Sequence, residues 1–204
     1  MATLGDDGER FRMLRTLIAV MLLALPVHAE EYSAWRYGTE VDSMTEKRKE
    51  FVIGTGSGFK IEVICKTYDS QSSEYKDLRK FDGKRYLMVY FVTDSYLGNT
   101  LGIHKAPPAL IRVDSNPALE VDLGPFNKNT VWPLSGDVFI NKLLDKPGKQ
   151  LRVRLWDNDS IKHEYTLSLE GMPAAIELLK KECGMTPGNT YHSSYDKDSI
   201  RPVK

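Results

Sequence analysis

The sequence predicts a mainly β protein, an antiparallel β-sandwich or open barrel with two short helices, the second closing the domain. Three observations carry this: segments that alternate apolar and polar residues, one run that is apolar at nearly every position, and Gly, Pro or Asn between them. From the amino end, short strands are expected at 34–39 and 50–53. A clearer one follows, where Phe59, Ile61, Val63 and Cys65 alternate with Lys60, Glu62 and Ile64, setting Cys65 on its inner face. Arg85 to Thr93 (RYLMVYFVT) reads as a central strand covered on both faces. Further strands are expected at 110–113 and 119–123.

Ser135 is placed to cap a helix that carries Asp137 in its first turn and Phe139, Ile140, Leu143 and Leu144 on one face, with Pro147-Gly148 as its stop. Leu151, Val153 and Leu155 then alternate with Arg152 and Arg154, and Tyr165, Leu167 and Leu169 with Glu164, Thr166 and Ser168. Between them Asp157-Asn158-Asp159-Ser160 favours turn geometry, which predicts an antiparallel hairpin. A last helix is expected over 173–183. Pro173 suits its first turn, Lys180 and Lys181 its carboxyl end, and Gly184 the position after it. Ala175, Ile176, Leu179 and Cys183 share its inner face. Residues 185–204 are polar and aperiodic, and a mobile tail is expected there.

The amino end predicts an address. Leu17 to Val27 is an apolar run of about eleven residues after Arg10, Arg12 and Arg15, and Val27-His28-Ala29 puts small residues where a signal peptidase cuts. Such a run is too short to span a bilayer core of roughly 30 Å. Residues 1–29 are therefore read as a signal peptide, with translation starting at Met1 or at Met13, and 30–184 as a single β-rich domain. The expected location is periplasmic or secreted. No cysteine directly follows the run to take a lipid anchor.

Lys and Arg total 28 and Asp and Glu 28, so the chain is formally neutral, which disfavours nucleic acid as a partner. Cys65 and Cys183 are the only two cysteines and both follow the export segment. In an oxidising compartment a disulfide is the simplest reading; two buried free thiols or a redox pair are the alternatives. A bridge would close a loop of about 119 residues, for which the chain-entropy model gives roughly 4 to 5 kcal/mol.

Motifs for catalysis are missing. Gly54-Thr55-Gly56-Ser57-Gly58 has neither the spacing nor the following helix of a phosphate loop and reads as a flexible hairpin turn. His104, His163 and His192 are not at metal-ligand spacing, and Asp157 with Asp159 lacks the glycine and terminal Glu of a calcium loop. No catalytic residue, metal or cofactor is assigned. Trp35 and Trp132 read as core. The hairpin is the candidate partner surface: Arg152 and Arg154 project from one face, Glu164 lies across from them, and Trp156 stands at the turn end as an aromatic anchor.

An ordered series of short motifs runs through nearly all of the mature chain: Trp35, Asp42-Ser43-Met44-Thr45, Val63-Ile64-Cys65, Arg112-Val113-Asp114, Phe139-Ile140-Asn141-Lys142-Leu143, Leu151-Arg152-Val153-Arg154, and Tyr165 to Ile176 before Cys183. In order and spacing it resembles the TagO/VasI-type exported proteins associated with type VI secretion, and similar exported bacterial or phage proteins. The resemblance implies a non-enzymatic accessory or binding protein of the bacterial envelope with a protein partner. Lys66 stands where the family usually has Arg. The alternatives are an inhibitor or immunity-type protein directed at an envelope enzyme, or a cell-wall hydrolase.

Overall fold

Alternating side chains sort the strands of the computed structural model into two antiparallel sheets with an apolar layer between them. The structure describes residues 31–32, 34–44, 47–67, 82–99, 106–124, 127–145, 148–186 and 198–203. The expected signal peptide lies outside these.

The first sheet is built from β1 (Glu31–Tyr32), β2 (Trp35–Val41), β3 (Arg48–Gly56), β4 (Phe59–Thr67) and β5 (Arg85–Thr93), followed by the short β6 (Gly98–Asn99), β9 (Asn127–Lys128) and β10 (Thr130–Val131). Their order across the sheet is β1-β2-β3-β4-β5-β10-β9-β6. The second sheet holds β7 (Ala109–Val113), β8 (Leu119–Val121), β11 (Gln150–Trp156), β12 (Lys162–Ser168) and β13 (Ile200–Pro202), in the order β12-β11-β7-β8-β13. Val52, Ile61, Val63, Val89 and Phe91 face Ile111, Leu151, Val153, Leu155 and Leu167 across the interior, all 1% exposed or less. Helix α1 (Gly136–Leu144) adds Phe139, whose ring meets Phe91 edge-on at 5.3 Å. Helix α2 (Met172–Glu182) buries Met172, Ala175, Ile176 and Leu179.

Two seams hold the sheets together without closing a barrel. On one side the Trp35 indole N–H donates to the Ser168 carbonyl at 2.8 Å, so the outermost strand of the second sheet is tied to β2. Glycines make this approach possible. A β-carbon at Gly54 would lie 2.6 Å from the Trp35 ring, and one at Gly56 would collide with the Thr166 carbonyl oxygen. The run expected to be a flexible turn is thus mostly strand and seam; Ser57 and Gly58 alone turn the chain, Gly58 with φ +65°. On the other side, the Gly124 N–H donates to Trp132 O and the Leu134 N–H to Asp122 O, pairing the chain after β8 with the chain after β10.

Cys65, at the end of β4, and Cys183, which caps α2, form a disulfide across 118 positions, with Cα atoms 6.2 Å apart. Helix α2 ends in a Schellman turn: Gly184 adopts φ +67°, its N–H reaches Lys181 O, and the Met185 N–H reaches Lys180 O.

Four further expectations need correction. Strand β5 is covered on one face only, since Tyr86, Met88, Tyr90 and Val92 are half-buried on the outside of the sheet. Trp132 is not core; it sits half-buried on that same outer side, edge-on to Tyr90 at 6.4 Å. Ser135 occupies the cap position of α1 but makes no side-chain cap hydrogen bond, being itself buried. Residues 198–203 are not tail: Ile200 fills a 7%-exposed position, the Asp122 N–H donates to Ser199 O, and the Val203 N–H donates to Ala118 O, so β13 seals the edge of β8. A single apolar residue gives no periodicity to read, and it is the waiting edge that makes this segment a strand.

Candidate functional site

Burial of Leu151, Val153 and Leu155 turns Gln150, Arg152, Arg154 and Trp156 onto the outer face of the second sheet, because strand side chains alternate. The register supplies their neighbours. Toward β12, Arg152 stands opposite Thr166, Arg154 opposite Glu164 and Trp156 opposite Lys162. Toward β7, Arg152 stands opposite Arg112 and Arg154 opposite Leu110. Leu110 in turn faces Glu120 on β8, and Glu120 faces Arg201 on β13.

A cavity of about 650 Å3 lies on this face, lined among others by Arg112, Ala118, Gln150, Arg152, Arg154 and Glu164. Its volume is in the range of small-ligand and peptide clefts. Arg154 is engaged, its Nε donating to Glu164 Oε1 at 2.7 Å while Nη2 lies 2.6 Å from the same oxygen. That hydrogen bond and charge, aided by Lys162 at 3.7 Å, hold the Glu164 carboxyl below the usual carboxylate range. At the far edge Arg201 ties down both acids, with Nη1 3.0 Å from Asp122 Oδ2 and Nη2 hydrogen-bonded to Glu120. Asp122 first, then Glu120, raises the Arg201 pKa above its ordinary value.

The two remaining guanidiniums are treated differently. Arg112 donates only to the Ser115 carbonyl at 3.5 Å and Arg152 only to Gln150 Oε1 at 3.4 Å, both at the limit of a hydrogen bond. Among the described residues neither has a carboxylate partner, although they stand directly opposite each other. Like charges in that position are destabilising in an isolated sheet.

Of the residues expected to form a partner surface, the structure gathers Arg152, Arg154 and Glu164 into one cavity. Trp156 shares the face but lies beyond the cavity, half-buried beside the turn. Arg112, Leu110 and Ala118 were not anticipated there. The outward position of Arg112 is legible from its alternation with Ile111 and Val113, but the pairing of β7 with β11 joins segments some forty positions apart.

Asp157 belongs to the turn rather than to a cation site. Its Oδ1 accepts the N–H groups of Asp159 at 2.9 Å and Ile161 at 2.8 Å, and Oδ2 lies 3.0 Å from His163 Nε2. The His163 contact chiefly, then the two amides, lower its pKa. Among the described residues no group of three or more His, Cys, Asp or Glu side chains could hold a metal ion. Nor is any helix among them long and apolar enough to cross a membrane. His104 and His192 lie outside the described residues. No family model, curated protein or solved structure matches the chain.

Proposed function

We propose that this is a non-enzymatic, exported accessory or binding protein of the bacterial envelope that holds a protein partner on the outer face of its second sheet. The observation that carries the reading is the cavity of about 650 Å3 around Arg112, Arg152 and Arg154. A large recess bearing guanidiniums and a nearby aromatic side chain suits recognition, because Arg and Trp anchor interfaces well. The disulfide fits a compartment outside the cytoplasm. The amino-terminal export segment and the motif order that resembles type VI secretion-associated proteins point to the envelope and to a secretion role.

An inhibitor of an envelope enzyme would use the same face, so the identity of the partner separates the two readings. The test is isolation of stable complexes from periplasmic extract with the mature protein and with a variant carrying Trp156→Ala and Arg154→Glu. The parent is expected to retain an envelope or secretion component, and the variant to lose it while remaining folded, with a somewhat lower melting temperature because Arg154→Glu sets a second carboxylate opposite Glu164. Capture of an enzyme that loses activity on binding would establish the inhibitor instead. Equal capture by parent and variant would remove the proposed face.

A further inference from the structure

We propose that Arg112 and Arg152 form a carboxylate-binding subsite that receives an acidic segment of a protein partner, a proposal that rests on the binding role assigned above and gives that role its chemistry. The charge inventory of the face leads to it. Glu164 is held by Arg154 and Lys162, Glu120 and Asp122 by Arg201, and Asp114 accepts the N–H groups of Lys149 and Gln150 at 2.9 Å each. Among the described residues each of these carboxylates has its own partners, and Arg112 and Arg152, which have no carboxylate partner, face each other in register. Opposed side chains in an antiparallel pair lie about 5 Å apart, so a single carboxylate can bridge both guanidiniums and relieve their repulsion.

The width of the positive strip selects a discrete carboxylate over a phosphate-rich surface. In its own cross-strand row the pair meets Thr166 on β12, and one row along Glu164 and Glu120 flank Arg154 and Leu110, with neighbouring strands about 4.8 Å apart. A membrane or nucleic-acid backbone laid across the face would meet those acids, and the formally neutral chain adds no general attraction for it. Leu110 and Ala118 beside the arginines offer apolar contact to the rest of a peptide segment.

The test titrates the mature, oxidised protein with a synthetic octaglutamate peptide, following heat or Trp fluorescence, beside octaglutamine and vesicles rich in phosphatidylglycerol. Octaglutamate is expected to bind, more weakly as salt rises, and octaglutamine not to bind. Arg112→Gln and Arg152→Gln should each weaken binding about tenfold, the loss of one charged hydrogen-bonding partner. Neither variant should melt below the parent, since each removes one of two opposed like charges. Unchanged octaglutamate binding in both variants overturns the subsite, as does equal binding of octaglutamine. Vesicle binding that needs both arginines, without peptide binding, overturns it in favour of a phosphate headgroup. If the double variant Arg112→Gln, Arg152→Gln still captures the envelope partner, the subsite fails and the binding role stands. If octaglutamate binds through both arginines while the parent captures no partner, the role fails and the subsite stands.

Discussion

Asp157 shows how one side chain can build a turn and tune its own titration. It ends β11 as an 8%-exposed carboxylate, and its two oxygens serve the amides of Asp159 and Ile161 and the ring of His163. Three donors favour the charged form, and the lowered pKa makes this a stability term. The sign follows from the direction. A carboxyl depressed in the folded state contributes fully above its unfolded value, near pH 4, and loses that contribution as pH falls through the lower folded value. Replacing Asp157 with Asn should therefore lower the melting temperature at pH 7, and the gap to the parent should shrink below about pH 4. Parallel melting curves for the two proteins down to pH 2 would contradict this.

Strand β13 illustrates an element that exists because of its neighbour. Alone, Ile200–Pro202 is three residues with one apolar side chain. On the edge of β8 it gains ladder hydrogen bonds, a buried Ile200, and the Arg201 bridge to Glu120 and Asp122. Ile200→Asn places an unpartnered polar group in that buried position, which should cost roughly 1–3 kcal/mol and release the strand. Leu119–Val121 would then be an exposed edge. Faster amide exchange confined to β8 and greater self-association at high protein concentration are the expected readouts; parent-like exchange there would show that β13 contributes little.

At the scale of the whole molecule, the disulfide links the end of β4 in the first sheet to the end of α2, so it spans most of the folded chain. Cys65→Ser and Cys183→Ser should destabilise to a similar degree, by up to about 5 kcal/mol, since each removes the same loop constraint. Alkylation of the unreduced, denatured protein should label neither thiol. Two labelled cysteines, or variants of clearly different stability, would show that the crosslink is not what the two residues contribute. The seams add a second constraint, because Gly54 and Gly56 let β3 approach Trp35 and β12 more closely than a side chain would permit.

Period-two alternation and turn chemistry determined the local plan from sequence alone. The hairpin of Arg152, Arg154 and Glu164, the strand that carries Cys65, both helices and the Gly184 stop are all present, because each depends on neighbours within a few positions. Alternation also settled which arginines face outward. What it could not supply was lateral order. Whether β11 lies beside β7 is decided by how two apolar faces bury each other across the whole domain, and that pairing alone sets Arg112 opposite Arg152. The same holds for Trp132, whose apolar character suits a core equally well but which stands outward just after β10, beside Tyr90. The glycine run belongs with these, since a missing β-carbon reads as freedom in a sequence and becomes close contact only once a second sheet arrives. Side-chain direction is a property of the local backbone, whereas the identity of the neighbour is a property of the packed sheets, and the candidate site is made of neighbours.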